Sequence, residues 1–87
     1  MGIDDLVGKV DFALAFAMVH EAANPAMLLA DISLSLKAGG KLLVVEPRGH
    51  VPDEEFATTL KQAIEAGLTL ESKPHIRRSH ATLLVRK

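Results

Sequence analysis

Cysteine is absent from this 87-residue chain, and so are tryptophan and tyrosine. The missing thiols exclude disulfide bridges, thiolate metal sites and a cysteine nucleophile. Three phenylalanines are the only aromatics, too few to stack nucleic-acid bases. A surplus of one charge is lacking as well. Ten Lys and Arg against eleven Asp and Glu give a formal net charge of −1, so the basic footprint of a nucleic-acid binder is missing. The longest apolar run, residues 12–19, falls far short of the roughly 20 residues that a bilayer requires. The first residues show neither the basic start nor the cleavage pattern of a secretion signal. These absences favour a cytosolic domain whose partners are neither nucleic acid nor membrane.

What is present describes a globular protein. Hydrophobic residues make up 48% of the chain and charged ones 24%, a balance that rules out disorder. The length suits one domain over residues 1–87. A core of that size is thin, and association would reinforce it.

Residues 1–9 mix Gly, Asp and Lys as a loop does. The run over 10–19 is apolar at nearly every position after Asp11, the mark of a strand buried on both faces, with an alanine-rich helix as the rival reading. Asn24 and Pro25 form a helix start, and Leu28, Ile32 and Leu36 recur at helical spacing. Lys37 is expected in the last turn, with Gly39 or Gly40 as a left-handed stop. Residues 41–47 read as a second buried strand ended by Pro47. A second helix opens at Pro52 with Asp53, Glu54 and Glu55 in its first turn, carries a Phe56, Leu60 and Ile64 stripe, and closes at Gly67. Residues 68–73 alternate as a half-exposed strand, and 79–86 supply another, together an antiparallel hairpin. Strand, helix, strand, helix, strand, strand is an α/β order with a parallel beginning and an antiparallel end.

This succession resembles the C-terminal half of the Rossmann-like, class I S-adenosylmethionine-dependent methyltransferase domain. The residues that carry the resemblance are Asp11-Phe12 entering the first strand, His20-Glu21 after it, Leu36-Lys37-Ala38-Gly39-Gly40 at the end of the helix, and Val44-Val45-Glu46-Pro47 closing the next strand. The closing hairpin corresponds to residues 68–86. Ala38 stands where the family usually has proline. The resemblance implies a partial Rossmann-like sheet, with two βα units followed by a C-terminal β-hairpin and the helices mainly on one face. It implies S-adenosylmethionine as cofactor, with Phe16, Ala17 and His20 beside its methionine end and Glu46 and His50 at the substrate rim. The glycine-rich turn that the family uses to hold the cofactor has no counterpart here. Glycines fall at 2, 8, 39, 40, 49 and 67, and none forms a G-x-G-x-x-G after a strand. The expectation is therefore an incomplete methyltransferase, inactive and without bound cofactor as this chain alone.

Two other readings remain open from the residues. One is a small interaction module that associates through a sheet face or edge. The other is a stand-alone α/β enzyme in which Glu46 and His50 act as base and orienter. His20-Glu21 fails as a zinc-protease motif because position 24 is Asn, not His, and no metal site is expected. His75, Arg77, Arg78 and His80 could gather as an anion-binding loop, although a solvated hairpin loop is the simpler reading. Phe12, Leu14, Phe16 and Met18 alternate as core residues would.

Handedness adds a further expectation. Two successive right-handed crossovers moving the same way place both helices on one face. The strands at 12–19 and 41–45 are nevertheless apolar at both parities, so the second face and the outer edge of the first strand lack cover. Such surfaces bind others. The partner is a second copy of the chain, giving a homodimer, or a separate chain supplying the missing half.

Overall fold

A computed structural model describes residues 8–16, 19, 22–49 and 51–86. Among these, six elements run in the order β1 (Val10–Phe16), α1 (Pro25–Ser35), β2 (Leu36–Pro47), α2 (Asp53–Glu65), β3 (Leu68–Ser72) and β4 (Ser79–Arg86). The strands form one sheet in the order β1-β2-β4-β3. β1 and β2 are parallel, while β4 is antiparallel to both of its neighbours, β2 and β3. The α/β class, the two βα units and the closing hairpin agree with the sequence pattern. The sheet does not close on itself.

α1 begins as its residues dictate. The Asn24 side chain accepts a hydrogen bond from the Met27 N–H at 3.1 Å, and Pro25 opens the first turn. Its C-terminus differs from the sequence expectation. The helix stops at Ser35, because Leu36 is already extended (φ −75°, ψ 142°), fully buried and in register with Val10. Lys37 therefore lies in β2 and pairs with Asp11 at 3.2 Å instead of sitting on the helix dipole. Arg86 takes over that end of the helix. Its Nη1 donates to the carbonyls of Ser33 (2.7 Å), Leu34 (3.0 Å) and Leu36 (2.6 Å). The Ser33 carbonyl also accepts from the Leu36 N–H and the Leu34 carbonyl from the Gly8 N–H, so the guanidinium adds a charged donor to an end already partly capped.

Gly39 and Gly40 serve the sheet and not the helix. Between the pairs Val10↔Leu36 and Phe12↔Lys41, β2 advances five residues while β1 advances two. The extra chain is folded into a bulge with Gly39 at φ 84°. A Cβ on Gly40 would lie 2.9 Å from the Lys37 carbonyl oxygen and 3.0 Å from that of Val10, so only glycine fits.

Both helices pack on one face of the sheet and against each other, as handedness requires. The core between them joins Leu29, Leu36, Leu42, Val44, Phe56 and Leu84. The buried stripes are rotated from those expected. α1 buries Leu29 and Ser33, with Leu28 and Ile32 at the margin. α2 buries Phe56, Thr59 and Ala63, while Ile64 is 53% exposed. Gly67 closes α2 at φ 101°, as expected.

The opposite face carries the largest correction. Phe12, Leu14 and Phe16 are not core; they are 54%, 56% and 63% exposed. Met18, the fourth member of that series, lies outside the described residues. Exposure is concentrated on β1. Further into the sheet, Val45 and Ala81 share this face but are buried between their cross-strand neighbours. Among the described residues β1 is also an edge, hydrogen-bonded only to β2. No described helix is long and apolar enough to cross a membrane.

Candidate functional site

In a parallel sheet, ligands gather at the carboxyl ends of the strands. Here that edge is formed by Phe16 and Val19 after β1, Glu46 and Pro47 at the end of β2, Val51 before α2, and Ser79 and His80 where antiparallel β4 begins. Glu46 is the central group. Alternation along β2 turns its side chain to the helix-covered face, where it is 1% exposed. Its Oε1 accepts a hydrogen bond from the Val19 N–H at 3.0 Å. A carboxylate buried this deeply needs such donors to offset its desolvation. The contact ties the segment after β1 to the end of β2.

Glu46 stands beside His80 in the β2–β4 register. His80 is buried on the same face, stacked on Phe56 with ring centroids 4.7 Å apart and planes 15° apart. Its Nε2 lies 2.7 Å from the Val51 carbonyl oxygen, so that nitrogen carries a proton and donates it. Asp53 Oδ1 is 3.6 Å from the same nitrogen. His80 therefore does not join an anion-binding loop with His75, Arg77 and Arg78. Those three are exposed in the turn between β3 and β4, while His80 faces inward.

Beside His80, the first half of α2 and the sheet line a cavity of about 270 Å³ that is open to solvent. Phe56, Ala57 and Leu60 give it an apolar wall, and Arg48, Lys73 and Asp53 bring charge to it. Thr82 also lines it; its Oγ1 is buried and has no hydrogen-bond partner. Arg48 is held across the edge by its Nε bond to the Ser79 carbonyl (3.3 Å) and its backbone N–H bond to the Arg78 carbonyl (3.0 Å).

Of the residues singled out in the sequence, Phe16 is at the carboxyl edge but points to the bare face. Ala17, His20 and His50 lie outside the described residues. Glu46 is present but engaged with backbone, which suits a clamp better than a proton-transfer group exposed to substrate. The sequence reading missed the Phe56–His80 stack, the Thr82 hydroxyl and the Arg86 cap. The alternation of His80, Thr82 and Leu84 in β4 was the available signal for the first two, since it puts all three on one face. Nothing local to Arg86 announces a bond to carbonyls some fifty residues earlier.

The described residues do not fit a whole S-adenosylmethionine. The two adjacent glycines lie at the amino end of β2, where the space over Gly40 is filled by the backbone of Lys37 and Val10. They cannot cradle a ligand at the carboxyl edge. No cluster of three or more metal-ligating side chains occurs among the described residues.

The fold is shared with part of the domain of several methyltransferases of known structure. It superposes on a chain of the complex between the Haloferax volcanii Trm112 methyltransferase activator and a methyltransferase, with TM-score 0.75 and 15% identity, over 91% of this chain and 55% of that one. A type 11 methyltransferase from Sulfolobus solfataricus matches with TM-score 0.72 and 15% identity over 99% of this chain and 56% of its own. A TehB-like SAM-dependent methyltransferase from Corynebacterium glutamicum matches with TM-score 0.71 and 22% identity over 88% and 47%. The chain thus spans about half the length of the structures it resembles. No family model matches it, and no curated protein does.

Proposed function

We propose that these residues form one half of an S-adenosylmethionine-dependent methyltransferase, supplying one wall of the cofactor cleft and no complete site. The observation that carries the reading is the superposition of nearly the whole chain on about half of several methyltransferases, leaving β1 as an open edge. The glycine-rich half comes from outside these 87 residues. In this reading Phe16, Ala17 and His20 belong to the cofactor side, His50 to the substrate rim, and Glu46 holds the two together by its bond to the Val19 amide. The protein works in the cytosol.

Titration calorimetry with S-adenosylmethionine, on material whose mass in solution is measured alongside, tests the proposal. The monomeric chain should show no binding tighter than millimolar. Micromolar binding by the chain alone would overturn it, whereas binding that appears only with an added glycine-rich segment supports it.

A second reading, a module that acts by association, is favoured by the exposure of Phe12, Leu14 and Phe16 on an unpaired edge strand. Stable monomers at high concentration that retain no second chain would remove it.

A further inference from the structure

We propose that the cavity between the first half of α2 and β4 binds a small organic carboxylate bearing a single-ring or branched apolar body. Its chemistry is divided accordingly. Arg48 and Lys73 stand in its lining, and neither makes an ion pair with a described residue. The opposing carboxylate, Asp53, has a side chain 95% exposed to solvent, and Arg48 and Lys73 are exposed as well, so all three charges are screened alike. Two cations against one acid leave the cavity with a net positive charge. The Nε bond of Arg48 to the Ser79 carbonyl fixes the plane of the guanidinium, and its remaining donors have the fork geometry that matches a carboxylate.

Thr82 is the second and independent observation. Buried polar atoms in folded proteins almost always find a partner, and an exception calls for a cause. Thr82 is fully buried and lines the cavity, and its hydroxyl has no partner. A valine there would fill the same space without an unsatisfied group. The hydroxyl is closed off in the free protein, so a ligand's acceptor oxygen completes its bonding through a small shift of the neighbouring side chains.

The remaining wall sets the body of the ligand. Phe56, Ala57 and Leu60 are apolar, and the Phe56 ring is pinned by its stack on His80, so the surface is formed before anything binds. The volume of about 270 Å³ falls just under the range of roughly 300–1,000 Å³ typical of drug-sized ligands. One ring with its acid group fits that space. Inorganic phosphate would satisfy the cations and leave the apolar wall bare. The inference stands on these residues alone and is independent of the methyltransferase reading.

Benzoate is the probe, followed by amide NMR on the full chain, with benzyl alcohol and inorganic phosphate in parallel. Benzoate should shift the amides of Ala57, Ala81 and Thr82 with a Kd on the order of 1 mM. Benzyl alcohol and phosphate should each bind about tenfold more weakly, one lacking the charge and the other the body. The double substitution Arg48→Gln, Lys73→Gln should weaken benzoate by about tenfold with the remaining spectrum unchanged. Thr82→Val should bind benzoate about fivefold more weakly while melting at a higher temperature, a pair of effects that loss of folding cannot produce. Benzoate that shifts none of these amides overturns the proposal. So does equal binding to the wild type and the double variant, equal binding of phosphate and benzoate, or a Thr82→Val chain that binds as the wild type does.

Discussion

Replacing Arg86 with methionine should destabilise the domain by about 2–4 kcal/mol. The long apolar stem of the side chain survives this change, so the packing under it is kept. What is lost is the guanidinium that donates from Nη1 to the carbonyls of Ser33, Leu34 and Leu36. Nη1 carries two hydrogens, so three acceptors share them. Leu34 is 49% exposed and water can replace its bond, but Ser33 and Leu36 are buried. Losing a charge-assisted hydrogen bond at each of these two carbonyls costs about 1–2 kcal/mol apiece, although Ser33 keeps its bond from the Leu36 N–H. A domain of this length has about 4–13 kcal/mol of stability in total, so the loss is a large share of it. The melting temperature should fall by on the order of 10–25 °C, at roughly 4–8 °C per kcal/mol. Arg86→Lys keeps the charge but not the planar fork and should recover about half of the loss. Urea unfolding followed by circular dichroism measures all three chains, and unchanged slopes would show that the midpoints report stability. A methionine variant within about 0.5 kcal/mol of wild type would refute the reasoning. It would mean that the pairing of Leu36 with Val10 fixes the end of α1 by itself.

Gly40→Ala forces a Cβ to within 3.0 Å of two backbone oxygens and should cost about 1–3 kcal/mol, read by the same urea midpoints. Asn24→Ala removes the cap on the Met27 N–H and should cost about 1 kcal/mol, with the loss of helicity confined to the first turn of α1 by NMR shifts. Thr82→Val should raise stability by about 1 kcal/mol in calorimetry, since it removes a buried hydroxyl that bonds to nothing in the fold. Threonine at Phe12, Leu14 and Phe16 together should leave the unfolding midpoint within about 1 kcal/mol, because all three side chains are more than half exposed. The same triple variant should lose any self-association seen by light scattering, and persistence of an oligomer would place the contact elsewhere.

Elements with a strong local signal were legible in the sequence. The Asn24-Pro25 start, the acidic first turn of α2, the Gly67 stop and the alternation in the hairpin each follow from chemistry within a few residues, and the structure has them where the pattern placed them. The handedness rule also gave the side of the sheet on which both helices lie. What failed to read were features settled by distant chain. Leu36 fits a helical stripe as well as a strand, and only the presence of Val10 beside it decides for the strand. The β1 phenylalanines alternate as core residues do, yet whether that face is covered depends on what packs there, which periodicity does not encode. Glu46 drew notice as a possible base with His50 as its orienter. Its burial and its bond to Val19 arise from a residue 27 positions away. The Thr82 cavity was invisible for the same reason, being assembled from β2, α2 and the hairpin.

The strand order has a consequence for how the sheet can be put together. β4 comes last along the chain but lies in the interior, between β2 and β3. The unit β1-α1-β2 can form from neighbouring segments, whereas among the described residues β3 pairs only with β4. Half of the sheet must therefore wait for Ser79–Arg86 to be inserted, a closure over long sequence separation that slows folding. Until then β2 presents a second free edge. A cut in the turn before β4 would not trim the margin of the sheet but divide it, releasing β3 and separating α1 from the arginine that completes its end.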